Sequence, residues 1–374
     1  QDDLKMQNDW LNSVEDQLSS YLYSLQSADD KYHFLPVKKG LTLAGESLTL
    51  GFSCYSLKLN YILNLFSIKD LSFEGWSRYI NSYQKNLKSL PDNSFIDQAY
   101  LEHYKKFRLT SSLKYAVKNT LNLTRHFHYE SRKEYLEKSI RAETKQAISS
   151  LSQIGLKNKL IYKDFPQSSN ELNYFFNSYD WSKPWDAGAQ FSGICVFTAT
   201  QLEKSNRSRI YIENFISKLA DKEHGIYFKD QLPNTNEAIN GAMKVISGLD
   251  WLEIPIHYPK KLIDFCLSNT PSPTGCDLVD YVYVLYKCSS QTNYRKKEIV
   301  IYCQELLDLI EKHFHIEGGF SYFIDKSQTH YYGIKISKGY DQPDIHGTLL
   351  LVWAMSMIFK LMESNKFDWK VIKP

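Results

Sequence analysis

The chain has 374 residues, 43% hydrophobic and 23% charged, so it can build one large core and is ordinary in composition for a globular protein. A net charge of +3 with no long lysine or arginine run gives no electrostatic case for a nucleic-acid partner. No stretch reaches the roughly 18 apolar residues of a membrane span, because Ser356 and Lys360 break the longest candidate.

Apolar residues recur mostly at helical spacing, and two-residue alternation is scarce. Over residues 8–26, Trp10, Leu11, Val14, Leu18, Tyr21, Leu22 and Leu25 share one helical face. Residues 33–52 read as loop and extended chain with a short hairpin. Helices are then expected over 56–68, 75–87, 94–107 and 112–124, and a long one over 131–155, where Gly155 suits the C-terminal cap.

From about residue 170 a rhythm appears. Polar loops give way to apolar helices at DWSKPWDAGAQFSGICVF, NTNEAINGAMKVISGL, PTGCDLVDYVYVLY and QPDIHGTLLLVW, which begin at Asp180, Asn234, Pro273 and Gln342. Helices apolar nearly all round are buried on both sides. The helices between them, over 206–221 and 298–314, are amphipathic and belong outside. This alternation predicts an all-α fold, an α/α toroid of inner and outer helices, with an armadillo-like solenoid as the competitor. Residues 1–135 form a leading helical region expected to join the same ring, and 136–374 the core that carries the site.

Six cysteines stand apart with no CxxC pair, mostly among apolar residues, which predicts reduced, buried thiols and a cytoplasmic protein. The opening QDDLKMQNDW does not read as a signal peptide. Asn122 and Asn206 sit in glycosylation tripeptides, which chance alone supplies often. Aromatic residues reach 14%; they either line a cavity or reflect a compositional habit. No GxGxxG, Walker, HExxH or GxSxG motif occurs, so no nucleotide cofactor is expected.

The run GYDQPDIHGTLLLVWAM (339–355) packs Asp344, His346 and Thr348 into the first turn of an apolar helix. Asp344 is a natural N-cap and Gly347 permits close packing. Capping leaves His346 unexplained. Asp344 and His346 are therefore catalytic candidates at a cavity mouth, where gathered helix N-termini favour anions. In QTHYYGIKISKGY (328–340), His330 and Tyr331 offer a general base and acid for removing a proton beside a sugar carboxylate, with Tyr332 as a binding residue. Trp181, Trp185 and Asp186 suit a sugar, by stacking and edge hydrogen bonds, or wedge between helices beside Pro184. Glu237 and Asn240, one turn apart, either join the mouth or cap their helix. Arg141, Glu143 and Gln146 read as a solvated helix face.

QPDIHGTLLLVWAM resembles the DxDDTA junction and apolar helix of squalene-hopene cyclases and related class II terpene cyclases. IEGGFSYF (316–323) resembles the GGF/GGW element of the terpene cyclase and protein prenyltransferase toroids. Laid on the cyclase motif, the first Asp is Asp344, the proton-donor position is His346 and the last Asp is Gly347. An imidazolium of ordinary pKa near 6.5 is a weak acid for alkene protonation. The prenyltransferase resemblance implies zinc held by Cys276 and His346; that family's Asp position is Thr274 here, with Asp277 or Asp344 as substitutes.

These residues lead to an enzyme with a small-molecule or oligosaccharide substrate, a carbohydrate or uronate-like one first. An isoprenoid-processing enzyme is the alternative, and a non-catalytic binding scaffold the second. A sugar site predicts an exposed Trp181 or Trp185 and a polar cavity. An isoprenoid site predicts a deep aromatic cavity, and a scaffold a cavity filled by side chains.

Overall fold

The computed structural model describes residues 9–66, 71–106 and 130–374, and among these residues fourteen α-helices carry the fold. They are α1 (Val14–Ser24), α2 (Leu43–Ser47), α3 (Leu50–Ile62), α4 (Phe73–Asn81), α5 (Gln98–Lys105), α6 (Arg132–Gln153), α7 (Ser169–Asn177), α8 (Pro184–Gln201), α9 (Ser208–Ile216), α10 (Thr235–Trp251), α11 (Pro259–Leu267), α12 (Gly275–Ser289), α13 (Lys296–Glu311) and α14 (Ile345–Leu361). The fold is all-α. Its strands are two short antiparallel ribbons, β1 (Gln84–Lys85) with β2 (Ser94–Phe95) and β3 (His330–Tyr331) with β4 (Ile334–Lys335).

The expected elements map closely, with instructive shifts. The segment 33–52 holds the short helix α2, and its extended part pairs at a distance: Leu41 bridges Ser337. The helix expected over 94–107 opens as strand β2, and Asp97 then caps α5 through the Ala99 N–H at 3.1 Å. α6 starts at a reciprocal cap, the Ser131 hydroxyl on the Glu134 N–H and the Glu134 carboxylate on the Ser131 N–H. It stops before Gly155, whose φ of +75° suits glycine. A boundary at 135 would cut this helix. The helix expected over 112–124 lies outside the described residues.

Six helices have most of their surface covered: α3, α6, α8, α10, α12 and α14. Each packs on the next in that order, and α14 packs back on α3. The others lie against this set, α7 and α9 on α8, α11 on α12, and α13 between α12 and α14. α14 shows why. From Leu349 to Phe359 every residue is buried, and nearly all are apolar. Each such Leu, Val, Ile, Met or Phe contributes about 1.5–3 kcal/mol. Leu351→Ala, at a fully buried position, would remove about 2–5 kcal/mol.

The leading region is tied to the far end of the chain by polar bonds. The Gln342 amide donates to the Lys39 carbonyl at 2.7 Å, and the Thr42 hydroxyl to the Lys335 carbonyl at 2.7 Å. These bonds seat the β3–β4 ribbon over the N-terminus of α3. All six cysteines are free thiols, five of them buried. No described helix is long and apolar enough to cross a membrane.

Candidate functional site

Inward-facing side chains follow a helical stripe. On α14 these are His346, Leu349, Leu350 and Trp353; on α8, Asp186, Ala189, Gln190 and Gly193; on α12, Cys276, Val279 and Asp280. The spacing of three and four residues keeps each set on one face. With Tyr55 and Lys58 of α3, the α6 stripe from Tyr135 to Gln146, and Met243 and Lys244 of α10, they enclose a cavity of about 440 Å³. Gln328, Tyr331 and Tyr332 cover one side.

Charge in the cavity is one-sided. Lys138 is paired with Asp186 at 2.8 Å and Glu130 at 3.1 Å. That leaves Lys58, Arg141, Lys145 and Lys244 with one unpaired side-chain carboxylate in the lining, Asp280. Lys58 donates to the Gln146 side-chain oxygen at 3.3 Å and the Ser149 hydroxyl at 3.2 Å, both neutral. Arg141 donates to the Gln190 side-chain oxygen at 3.3 Å, and its Nε is buried without a partner. Burial, reinforced by the neighbouring lysines, lowers Lys145 to about 7 and Lys58 to about 8. Burial raises the Asp280 carboxyl to about 7, against the pull of Lys244.

The first turn of α14 answers the question its sequence poses. Asp344 is buried and fully engaged: one oxygen accepts the Gly347 N–H at 2.7 Å, the other the Tyr322 N–H at 2.8 Å and the Gln328 N–H at 3.0 Å. Burial pushes this carboxyl up to about 6, opposed by those same N–H bonds. The Thr348 hydroxyl accepts the Phe320 N–H at 3.0 Å and donates to the Phe320 carbonyl at 3.1 Å. A Cβ on Gly347 would lie 2.3 Å from the Tyr322 nitrogen. Asp344 and Thr348 thus clamp the 320–328 loop to the helix. Asp344 is a structural cap with no oxygen left for chemistry.

His346 does line the cavity. Its ring stacks on Tyr55 at 4.8 Å and 7°, and on Tyr322 at 5.5 Å and 26°. Burial and then the Lys244 charge lower its pKa to about 3, so the ring is neutral at physiological pH and is no proton donor to an alkene.

Other expected residues divide. Tyr331 and Tyr332 line the cavity, whereas His330 is exposed on β3 and hydrogen-bonds Thr329 at 2.9 Å, so the base–acid pair is not brought together. Successive strand residues face opposite sides, which sends these two apart. The Tyr331 hydroxyl donates to Glu143 in a short bond. Gly51 makes room for it, since a Cβ there would lie 2.0 Å from that hydroxyl. Trp181 is 3% exposed and its indole N–H donates to the Phe176 carbonyl at 2.9 Å: it is a wedge, not a sugar platform. Trp185 is 38% exposed but does not line the cavity. Asp186 lines it, neutralised by Lys138.

Glu237 accepts the Trp185 N–H at 2.9 Å, and the Asn240 amide donates to Asp277 at 2.8 Å; these tie helix to helix rather than form the mouth. That bond also turns Asp277 from the zinc set. Cys276 and His346 both line the cavity, but among the described residues no three His, Cys, Asp or Glu side chains are placed to hold a metal ion. Burial raises the Cys276 thiol to about 11, which keeps it protonated.

Sequence reasoning missed Lys58, Lys145 and Tyr55, and took Arg141 and Gln146 for solvated positions although both line the cavity. Glu143, assigned to the same face, is buried. The signal was present: Lys58 and Lys244 are the single lysines of two helices that are otherwise largely buried. The chain matches no family model, no curated protein and no solved structure.

Proposed function

We propose that the protein is an α/α-toroid enzyme whose central cavity takes an anionic, uronate-like carbohydrate. The cycle of packing from α3 through α14 and back to α3 supports a closed ring over an open stack, in keeping with the resemblance to the terpene cyclase and prenyltransferase toroids. One observation carries the substrate class: three lysines and an arginine share the cavity with one unpaired side-chain carboxylate and four tyrosines. Uncompensated buried cations are costly unless an anion completes them. Tyr55, Tyr135 and Tyr332 supply flat faces for a pyranose ring, and a cavity of about 440 Å³ accommodates one or two sugar units.

In this reading Lys58, Lys244 and Arg141 hold the carboxylate. Neutralising it would ease removal of the proton on the neighbouring carbon, which the Lys145 amine, lowered to about 7, would accept. The Tyr332 phenol, held protonated by burial, would give its proton to the leaving oxygen. A second reading, an isoprenoid diphosphate, is favoured by the apolar strip of Val279, Leu349, Leu350 and Trp353. Titration calorimetry with a uronate disaccharide, the matching neutral disaccharide and a prenyl diphosphate separates them. Binding of the uronate alone, weakened at least tenfold by Lys58→Met, and ultraviolet absorbance of an unsaturated product support the first reading. Binding of the prenyl diphosphate alone sinks it.

A further inference from the structure

Lys58 is held by Gln146 and Ser149, whereas Lys145, like Lys244, lines the cavity with no hydrogen bond or ion pair among the described residues. It opens into the cavity from α6, close enough to Lys58 and Lys244 for their charges to act on it. We propose that Lys145 is a nucleophilic amine that condenses with the carbonyl group of an anionic aldehyde or keto substrate, while Lys58, Lys244 and Arg141 bind the anionic end.

Desolvation and neighbouring cations are the two devices that free a lysine amine for such chemistry. Both act here: burial leads and the two lysines add to it, bringing Lys145 to about 7. In the step itself the amine lone pair attacks the carbonyl carbon to give a carbinolamine. Loss of water and one proton transfer then give the imine, with no oxidant or reductant consumed. Asp280, raised to about 7, holds or releases a proton near neutrality and lines the same cavity. A uronic acid in its open-chain form carries both groups, a carboxylate and an aldehyde. The proposal rests on the anion-binding reading for its substrate class, but its chemistry is tested apart from it.

The test uses the full chain, glyoxylate as the small anionic aldehyde, and borohydride to reduce any imine to a stable secondary amine, followed by peptide mapping. An amine of pKa near 7 carries on the order of a thousandfold more free base at neutral pH than an ordinary lysine. The adduct is therefore expected on Lys145 far above every other lysine. Lys145→Arg should keep the parent's far-ultraviolet circular dichroism spectrum and lose the adduct, which separates a lost nucleophile from a misfolded variant. Labelling spread evenly over the exposed lysines, or concentrated on Lys58 or Lys244, overturns the proposal. Labelling of Lys145 that glucuronate fails to suppress upholds the nucleophile and counts against the uronate reading alone.

Discussion

Replacing Lys145 by Met should stabilise the protein, and the gain should depend on pH. The folded structure lowers this amine from its ordinary 10.5 to about 7, mainly by burial. At about 1.36 kcal/mol per pH unit, that shift corresponds to roughly 5 kcal/mol as an upper limit. The side chain still meets cavity water, so about 1–3 kcal/mol is the realistic range. The sign follows from proton linkage. The folded state disfavours the charged amine, so the cost is complete below about pH 7 and fades as pH rises towards 10.5, where the unfolded lysine also loses its proton. Urea unfolding near pH 6 and near pH 9.5 should show Lys145→Met ahead of the parent at the lower pH and ahead by clearly less at the higher. Saturating sulfate should narrow the gap near pH 6 by stabilising the parent. A variant that is less stable near pH 6, or equally shifted at both, would refute an uncompensated cation in the cavity.

The same charges set the pH course of ligand binding. Sulfate affinity should fall between about pH 6 and 9 as Lys145 and Lys58 lose protons near 7 and 8 and Asp280 gains charge near 7, with calorimetry as the check. A flat profile would mean that other groups hold the anion. Asp344→Ala strands the N–H groups of Gly347, Tyr322 and Gln328 and should cost roughly 3–5 kcal/mol in denaturant unfolding; a loss under about 1 kcal/mol would reject the clamp. The His346 ring should show no titration by NMR above about pH 5, in keeping with its value of about 3. Trp181→Ala should cost about 3–5 kcal/mol and Trp185→Ala under about 1 kcal/mol, because only the first is buried and bonded.

Local chemistry made much of the fold legible. Apolar periodicity marks the buried helices, and the caps at Ser131, Asn234, Thr274 and Asp344 lie where short polar side chains meet the first turn. Each of these signals is contained within a few residues, so one chain suffices to read it. His346 and Asp186 were also legible as cavity residues, since a buried helix exposes its first turn only towards such a space, and Tyr331 and Tyr332 lie in the loop segment before the last of these helices.

What each side chain does there was decided by partners far away in sequence. Asp344 was spent on the loop at Tyr322 and Gln328, and Asp277 on Asn240 of another helix. Glu143 met Tyr331 from 188 positions away. A carboxylate or lysine reads alike in sequence whether it caps, pairs or waits for a ligand; only the groups within about 4 Å separate these fates. The sequence determined that buried helices would carry polar first turns. The tertiary structure decided that Lys58, Lys145 and Lys244 would meet in one cavity with too few carboxylates to neutralise them, because burial and long-range contact assign each charge its partner or leave it without one.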